Sequence, residues 1–346
     1  MNIPFVKLYD CPLEYEFQCD LARKLVYLEL IAIDIQFALY AITIYVAIGS
    51  PFHFNLKFIG VYILSGYFTF LGGRLIIGLH EVGVFSINGG SPENTPLLVI
   101  SSCLQYFFMA CACSIGLALS VERFVATVHV DNYEYNKRKW VSFLMCLELL
   151  FGSTITAIIL LFDLVVIYIM IIIGQLINGI SFIIYLALFY INKKRSEFAM
   201  MNHKKYSLSF RFQLNENLQV MTLFRNIVLL TGFLNLIFGG VMIGQYMEQH
   251  GESRFLRLLY FHLAFNFLSI VYSALTLILL LLSVKLYRQY FFKIPIVYAI
   301  VYPIFGRCYE SEFRATRVQK LTTSAETETY FTNLAAQWDN RYQKVL

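Results

Sequence analysis

Charge is scarce in this sequence. Only 14% of its 346 residues are Asp, Glu, Lys or Arg, against 58% hydrophobic and 17% aromatic. An ordinary soluble domain carries roughly 25% charged residues. A chain this short cannot enclose so much apolar surface, so a soluble fold is excluded and the surplus must face lipid. Catalytic signatures are missing too. There is no His-Glu-x-x-His helix, no Gly-x-Ser-x-Gly elbow and no phosphate-cradling glycine loop. The six histidines, His53, His80, His129, His203, His250 and His262, are scattered. No enzymatic activity, cofactor or metal is expected, and no nucleic-acid partner.

Cysteines are few, and their places are restrictive. None lies between the fourth and fifth apolar spans, so no disulfide can tether that loop to the third helix. Cys111 and Cys113, two apart in a helix, point away from each other and cannot share a metal. Cys11 and Cys19 could pair in an oxidising compartment, and the sequence leaves their pairing open. There is no Asn-x-Ser/Thr sequon. The first 24 residues carry Asp10, Glu14, Glu16 and Asp20 and lack an apolar core, so no cleavable signal peptide is expected. The first span is then expected to serve as its own insertion signal. The lack of an internal repeat removes support for an inverted-repeat transporter.

What is present is a series of runs of the length that crosses a bilayer. Seven are read, over 26–48, 57–79, 97–121, 140–161, 165–191, 227–247 and 258–283. The weakest division falls between the fourth and fifth. Residues 140–191 are almost continuously apolar, with Glu148 and Asp163 as the charged interruptions. Two spans with a tight loop at Phe162–Asp163 fit that length, and a single helix does not. The expected fold is an all-α membrane protein, a seven-transmembrane helix bundle. Its parts are an N-terminus over 1–25, a helical domain over 26–283 and a tail over 284–346. Residues 192–226 read as a polar, basic loop compatible with helix. The run Tyr290–Gly306 contains Pro295 and Pro303 and reads as a segment lying on the membrane surface rather than as an eighth span.

Lys and Arg fix the expected orientation. An N-out, C-in arrangement gathers Lys57, Arg123, Lys137, Arg138, Lys139, Lys193, Lys194, Arg195, Lys204, Lys205, Arg211, Arg225 and the tail on the cytosolic side. The other side receives Lys7, Arg23, Lys24, Arg254 and Arg257. Arg23 and Lys24 oppose this locally, and the later loops outweigh them.

Several polar groups stand out in apolar runs. Glu122 and Arg123 lie where the third helix meets the cytosol. They either hold one another until the bundle opens, or Arg123 is an anchor snorkelling to headgroups. Asp34 and Arg74 sit in the outer halves of the first two helices, where ionisable groups usually turn inward. They could pair, Arg74 could bind an anionic ligand, or Arg74 could snorkel. Gly72 and Gly73 beside it would let helices approach closely. Glu148 poses a similar question in the fourth helix. Gln105, Gln175, Asn178, Asn235 and Asn266 read mainly as interhelical hydrogen-bonding groups, a minority of which touch a ligand.

Three stretches then point one way together. The first is Val121-Glu122-Arg123-Phe124-Val125-Ala126-Thr127, with Tyr133-Glu134 shortly after. The second is Arg211-Phe212-Gln213-Leu214-Asn215-Glu216-Asn217. The third is the acidic tail element Glu326-Thr327-Glu328-Thr329-Tyr330-Phe331. In these the sequence resembles the nematode serpentine receptors of class epsilon, the Sre chemoreceptors, over most of its length. Glu-Arg alone is a weak match, and Arg-Phe-Gln-Leu-x-Glu-Asn is far more specific.

The resemblance implies a G-protein-coupled chemoreceptor at the plasma membrane or ciliary membrane of sensory neurons. Its expected partners are a heterotrimeric G protein, a small-molecule ligand and the lipid bilayer. Glu122 and Arg123 take the family's switch position. Tyr133, Glu134, Arg211, Gln213, Glu216 and Asn217 match cytoplasmic motifs, open to partner contact or to helix capping. Asp34, Arg74 and Gln105 are the ligand-pocket candidates. The sixth span lacks a Pro kink and the seventh lacks Asn-Pro-x-x-Tyr, so rhodopsin-like activation movements are not assumed. A ligand-gated channel or transporter, and a non-signalling scaffold, are the rival readings.

Overall fold

The computed structural model describes residue 8 and residues 11–49, 54–84, 95–129, 139–201, 208–250 and 255–283, with residues 291 and 294. A short 3-10 turn, Leu13–Tyr15, leads into α1 (Glu16–Gly49). After it come α2 (Phe54–Glu81), α3 (Pro96–Val128), α4 (Lys139–Leu161), α5 (Ile167–Met201), α6 (Leu208–His250) and α7 (Phe255–Ser283). Among the described residues these are seven helices long and apolar enough to cross a membrane. Helices are the expected answer in lipid, because each satisfies its own backbone groups internally. Contacts divide the chain into two units, Met1–Val284 and Lys285–Leu346, and all seven helices belong to the first. The surface segment expected over Tyr290–Gly306 lies outside the described residues, apart from Phe291 and Ile294.

The span readings hold in number and place, but the helices overrun them. α1 starts ten residues earlier than the apolar run, and the expected loop over 192–226 is largely helical. α5 continues to Met201 and α6 begins at Leu208. These extensions carry Lys193, Lys194 and Arg195, so hydropathy marks where lipid contact stops rather than where the helix stops.

Local chemistry ends the helices at one rim. Beyond α2, Gly83 adopts φ 82°. Its N–H reaches the His80 carbonyl at 3.0 Å and that of Val84 the Leu79 carbonyl at 3.0 Å. This is a Schellman cap. α4 ends in the same way with Asp163 in the glycine place, at φ 54°. The Asp163 and Leu164 N–H groups reach the Leu160 and Ile159 carbonyls at 3.3 and 3.0 Å. Asp is among the non-glycine residues that tolerate this conformation. The cap makes the tight α4–α5 turn that the sequence places at Phe162–Asp163. α3 starts with Pro96 in its first turn, where a missing N–H costs nothing.

α3 is the central helix, packing on α2, α4, α5 and α6, whereas α5 is the most exposed to the surroundings. Across the middle of the bundle runs a chain of aromatic rings. Tyr40 stacks on Tyr67 at 4.6 Å, and Phe108 meets Tyr67 at 4.6 Å and Phe70 at 4.5 Å. Tyr272 and Phe238 continue it through α7 and α6. The Tyr40 hydroxyl donates to the Ser273 carbonyl at 2.8 Å, and Gln36 Nε2 to that of Ile270 at 3.0 Å, clipping α1 to α7. Gly73 allows α3 to close on α2, since a Cβ there would sit 2.8 Å from the Ser101 carbonyl oxygen. Gly72 faces open space and has no such role.

Cys11 and Cys19 are joined by a disulfide at the N-terminal end of the bundle. Cys111 reaches the Leu149 carbonyl on α4, while Cys113 lies against Gly174 of α5, so the two thiols do diverge.

Candidate functional site

Two buried arginines organise the two ends of the bundle. At the N-terminal end, Arg74 on α2 is 1% exposed. Its Nη2 donates to Glu29 Oε2 on α1 and to Glu81 Oε2 on α2, each at 2.8 Å, and its Nε donates to Glu29 Oε1. Glu81, also 1% exposed, has His262 Nε2 of α7 at 2.5 Å, and Asn266 lies 3.0 Å from the same ring nitrogen. Three helices are thus tied by one ionic cluster.

This corrects the expectation for Arg74. Its counterion across helices is Glu29, not Asp34. The face of α1 that carries Ile33, Gln36 and Tyr40 points inward, and Asp34 lies off it, exposed on the bundle's outer surface. Arg74 does not snorkel, and an external anion would have to compete with two carboxylates already in place. Gln105 on α3 is buried, and neither of its side-chain amide atoms has a partner among the described residues. Glu148 lies exposed on α4.

At the opposite end, Arg123 is 3% exposed and Glu122 is fully buried. The guanidinium grips its own chain neighbour through both of that carboxylate's oxygens, at 2.5 and 2.6 Å. Arg123 Nη1 then donates to Asn217 Oδ1 on α6 at 2.8 Å. Two stretches singled out separately in the sequence therefore meet, and Arg123 is not a headgroup anchor. Around them α3 is fastened to α5. Asn192 Nδ2 donates to Thr127 Oγ1 at 2.8 Å, Arg195 Nη1 to the Thr127 carbonyl at 2.7 Å, and Ser120 Oγ to the Ser181 carbonyl at 3.1 Å.

Arg211, Gln213 and Glu216 fall in the first turns of α6, but their side chains lie outside the described residues, as do Tyr133 and Glu134 altogether. Glu29, Glu81, His262, Asn192 and Arg195 are site residues that sequence reasoning passes over. A signal for the first is nonetheless there. Glu29, Gln36 and Thr43 recur every seven residues on α1, and His262, Asn266, Ser269 and Ser273 recur at helical spacing on α7. A polar stripe at that period in an apolar helix marks the inward face.

The charge arrangement decides what each end can do. Buried charges must be paired. Arg74 is paired across helices, so moving α1 away from α2 would strand charge. Arg123 carries its counterion on the same helix, so α3 and α6 can part at that bond with the ion pair intact. The described residues also line a partly open cavity of about 130 Å³ between α3, α5, α6 and α7, with Phe70 of α2 and Thr156 and Leu160 of α4 also in its lining. Its lining includes none of Asp34, Arg74 and Gln105.

Comparison with known proteins bears on which activity this geometry serves. A family model described as Sre G protein-coupled chemoreceptor matches residues 10–339. The chain is 42% identical over 351 residues to Serpentine receptor class epsilon-1 of Caenorhabditis elegans, covering all of this chain and 99% of that relative. It is 29% identical to Serpentine receptor class epsilon-2 of the same organism, covering 92% and 90% of the two chains. Serpentine receptor class epsilon-26, also of Caenorhabditis elegans, matches at 25% over 83% of this chain and 84% of its own length.

Proposed function

Because the chain belongs to the Sre family of G-protein-coupled chemoreceptors, a multi-pass membrane receptor family, we propose that it detects an external small molecule and signals through a heterotrimeric G protein. The observation that carries the mechanism is the Glu122–Arg123–Asn217 bond set. In the ligand-free state Arg123 latches α3 to α6. When a ligand binds the parted arrangement more tightly, the population shifts to it. The Arg123 guanidinium, still neutralised by Glu122, then becomes available to acceptors on the G protein.

The reading takes the Arg123 end as cytosolic and the N-terminus as external. Two independent features support it. The Lys and Arg of the long loops gather at the Arg123 end, and the Cys11–Cys19 disulfide suits an oxidising compartment. Residence in the plasma membrane or in a ciliary membrane follows from a role in sensing external molecules.

The test is calcium and cyclic-nucleotide imaging of cells expressing the chain, challenged with a broad chemical panel, with and without functional G proteins. The expected result is a response that disappears when G proteins are removed. A response that persists as ligand-evoked current would instead make the protein a channel and deprive Arg123 of its role.

A further inference from the structure

The ionic cluster at the N-terminal end of the bundle is one positive charge short. Arg74 brings one positive charge, and Glu29 and Glu81 bring two negative ones. All three side chains are withdrawn from solvent. A buried charge without a partner costs more than an unmet hydrogen bond. The fourth member is His262, whose Nε2 lies 2.5 Å from Glu81 Oε1. A neutral imidazole leaves the set with an excess negative charge, and a protonated one closes it at zero. We propose that the cluster is a binding site for one external proton, taken up at His262, and that the proton tightens the hold of α7 on α1 and α2. That the proton is external rests on the receptor reading, which puts this end of the bundle outside.

His262 has a seat for that proton. Facing a carboxylate, Nε2 is the ring nitrogen that carries the first proton. Nδ1 is buried and has no partner among the described residues, so it is the place left for the second. The path from outside is short. Glu81 is the last residue of α2, and His262 lies roughly two turns into α7, about 10 Å from its start. The other described cations at this end are engaged elsewhere. Lys24 pairs with Asp20 on α1, and Arg23 donates to the Leu8 carbonyl at 2.9 Å. Arg257 of α7 is bound to Glu248 of α6 at 3.0 Å, a pair that balances itself. α3 contributes Gln105, which is uncharged. His80, buried beside Glu81 on α2, is the other described imidazole at this end.

The experiment reads the proton without ligand or G protein. Thermal unfolding of the purified, detergent-solubilised full chain is followed across pH. An imidazole changes charge between about pH 5 and 8. Where the folded chain holds a proton that the unfolded chain releases, stability falls as pH rises. The wild-type midpoint is therefore expected to drop by roughly 2–4 °C from about pH 5.5 to about pH 8, and His262→Gln to lose that drop. Glu81→Gln and Glu29→Gln should each lose it too, although His262 is still present, because Arg74 and the remaining carboxylate then balance without a proton. His80→Gln should keep it. A wild-type midpoint that stays flat or rises over this range overturns the site. So does a drop that survives in His262→Gln or in the carboxylate variants, or one that vanishes in His80→Gln. Either carboxylate variant decides the matter if His262→Gln does not fold. A drop that follows these variants, in a protein that activates no G protein, would count against the receptor reading and leave the proton site standing.

Discussion

Arg74 and Arg123 are the same residue type, both buried, near opposite ends of one bundle, yet their charges are balanced in different ways. Arg74 is held by carboxylates on α1 and α2, with His262 of α7 joined through Glu81. Parting α1 from α2 would leave Arg74 with Glu81 of its own helix but would strand the Glu29 carboxylate. Arg123 is neutralised within α3 and reaches α6 through an amide oxygen. The difference lies in where the counterion is attached. A carboxylate supplied by a second helix acts as a brace, whereas an ion pair complete within one helix leaves its outer hydrogen bond free to serve as a latch. The proposed mechanism uses both: an end that keeps its shape and an end that opens.

The largest expected effect comes from breaking the brace. Arg74→Met leaves Glu29 and Glu81 buried without their cation, a loss of about 3–5 kcal/mol. The amount of protein at the cell surface, measured by surface labelling, should collapse. Combining it with Glu29→Gln and Glu81→Gln should recover much of that amount, because neutralising a whole buried set is far cheaper than removing one partner. Failure of the triple variant to recover would mean that Arg74 does more than balance charge.

Next in size is Gly73→Ala, whose Cβ would meet the Ser101 carbonyl, a backbone atom that cannot rotate away. A loss of about 1–3 kcal/mol is expected, read as a lower unfolding midpoint in detergent. Gly72→Ala faces open space and should be unchanged or slightly stabilised, so the pair locates the close approach of α2 and α3.

The latch should respond differently. Asn217→Leu removes the α6 acceptor and leaves the Glu122–Arg123 pair whole. A hydrogen bond between membrane helices is worth about 0.6 kcal/mol on average and up to roughly 1.7. Surface amount should therefore change little, while ligand-free signalling rises about three- to twentyfold. The smallest effect belongs to Asp34→Asn. This side chain lies on the outer surface of α1, so neither surface amount nor signalling should move measurably. A strong loss of response there would restore Asp34 as a ligand contact.

The fold is readable from composition because a span imposes length and apolarity on each helix, and those are local properties. The α5 and α6 extensions are not, since Lys193 to Arg195 form helix without any need for lipid contact. The latch is half legible. Arg123 and Asn217 each belong to a recognisable stretch, but they lie 94 residues apart, and nothing local says that they touch. The brace is easily misread because Asp34 and Glu29 look interchangeable as charges. Five residues along a helix turn the side chain well away from its starting face, and only Glu29 falls on the stripe shared with Gln36 and Thr43. The cavity depends on how the helices are rotated against one another, which no local stretch of sequence fixes.

The mechanism stands on Arg123 being a latch that G-protein coupling requires to be released. It is reached most directly by nucleotide exchange on a purified heterotrimeric G protein in vesicles containing wild type, Asn217→Leu or Arg123→Gln, without ligand. The latch predicts the highest rate for Asn217→Leu, a low rate for wild type, and none above protein-free vesicles for Arg123→Gln. Equal rates from all three, with each protein shown to be folded and inserted, would contradict it.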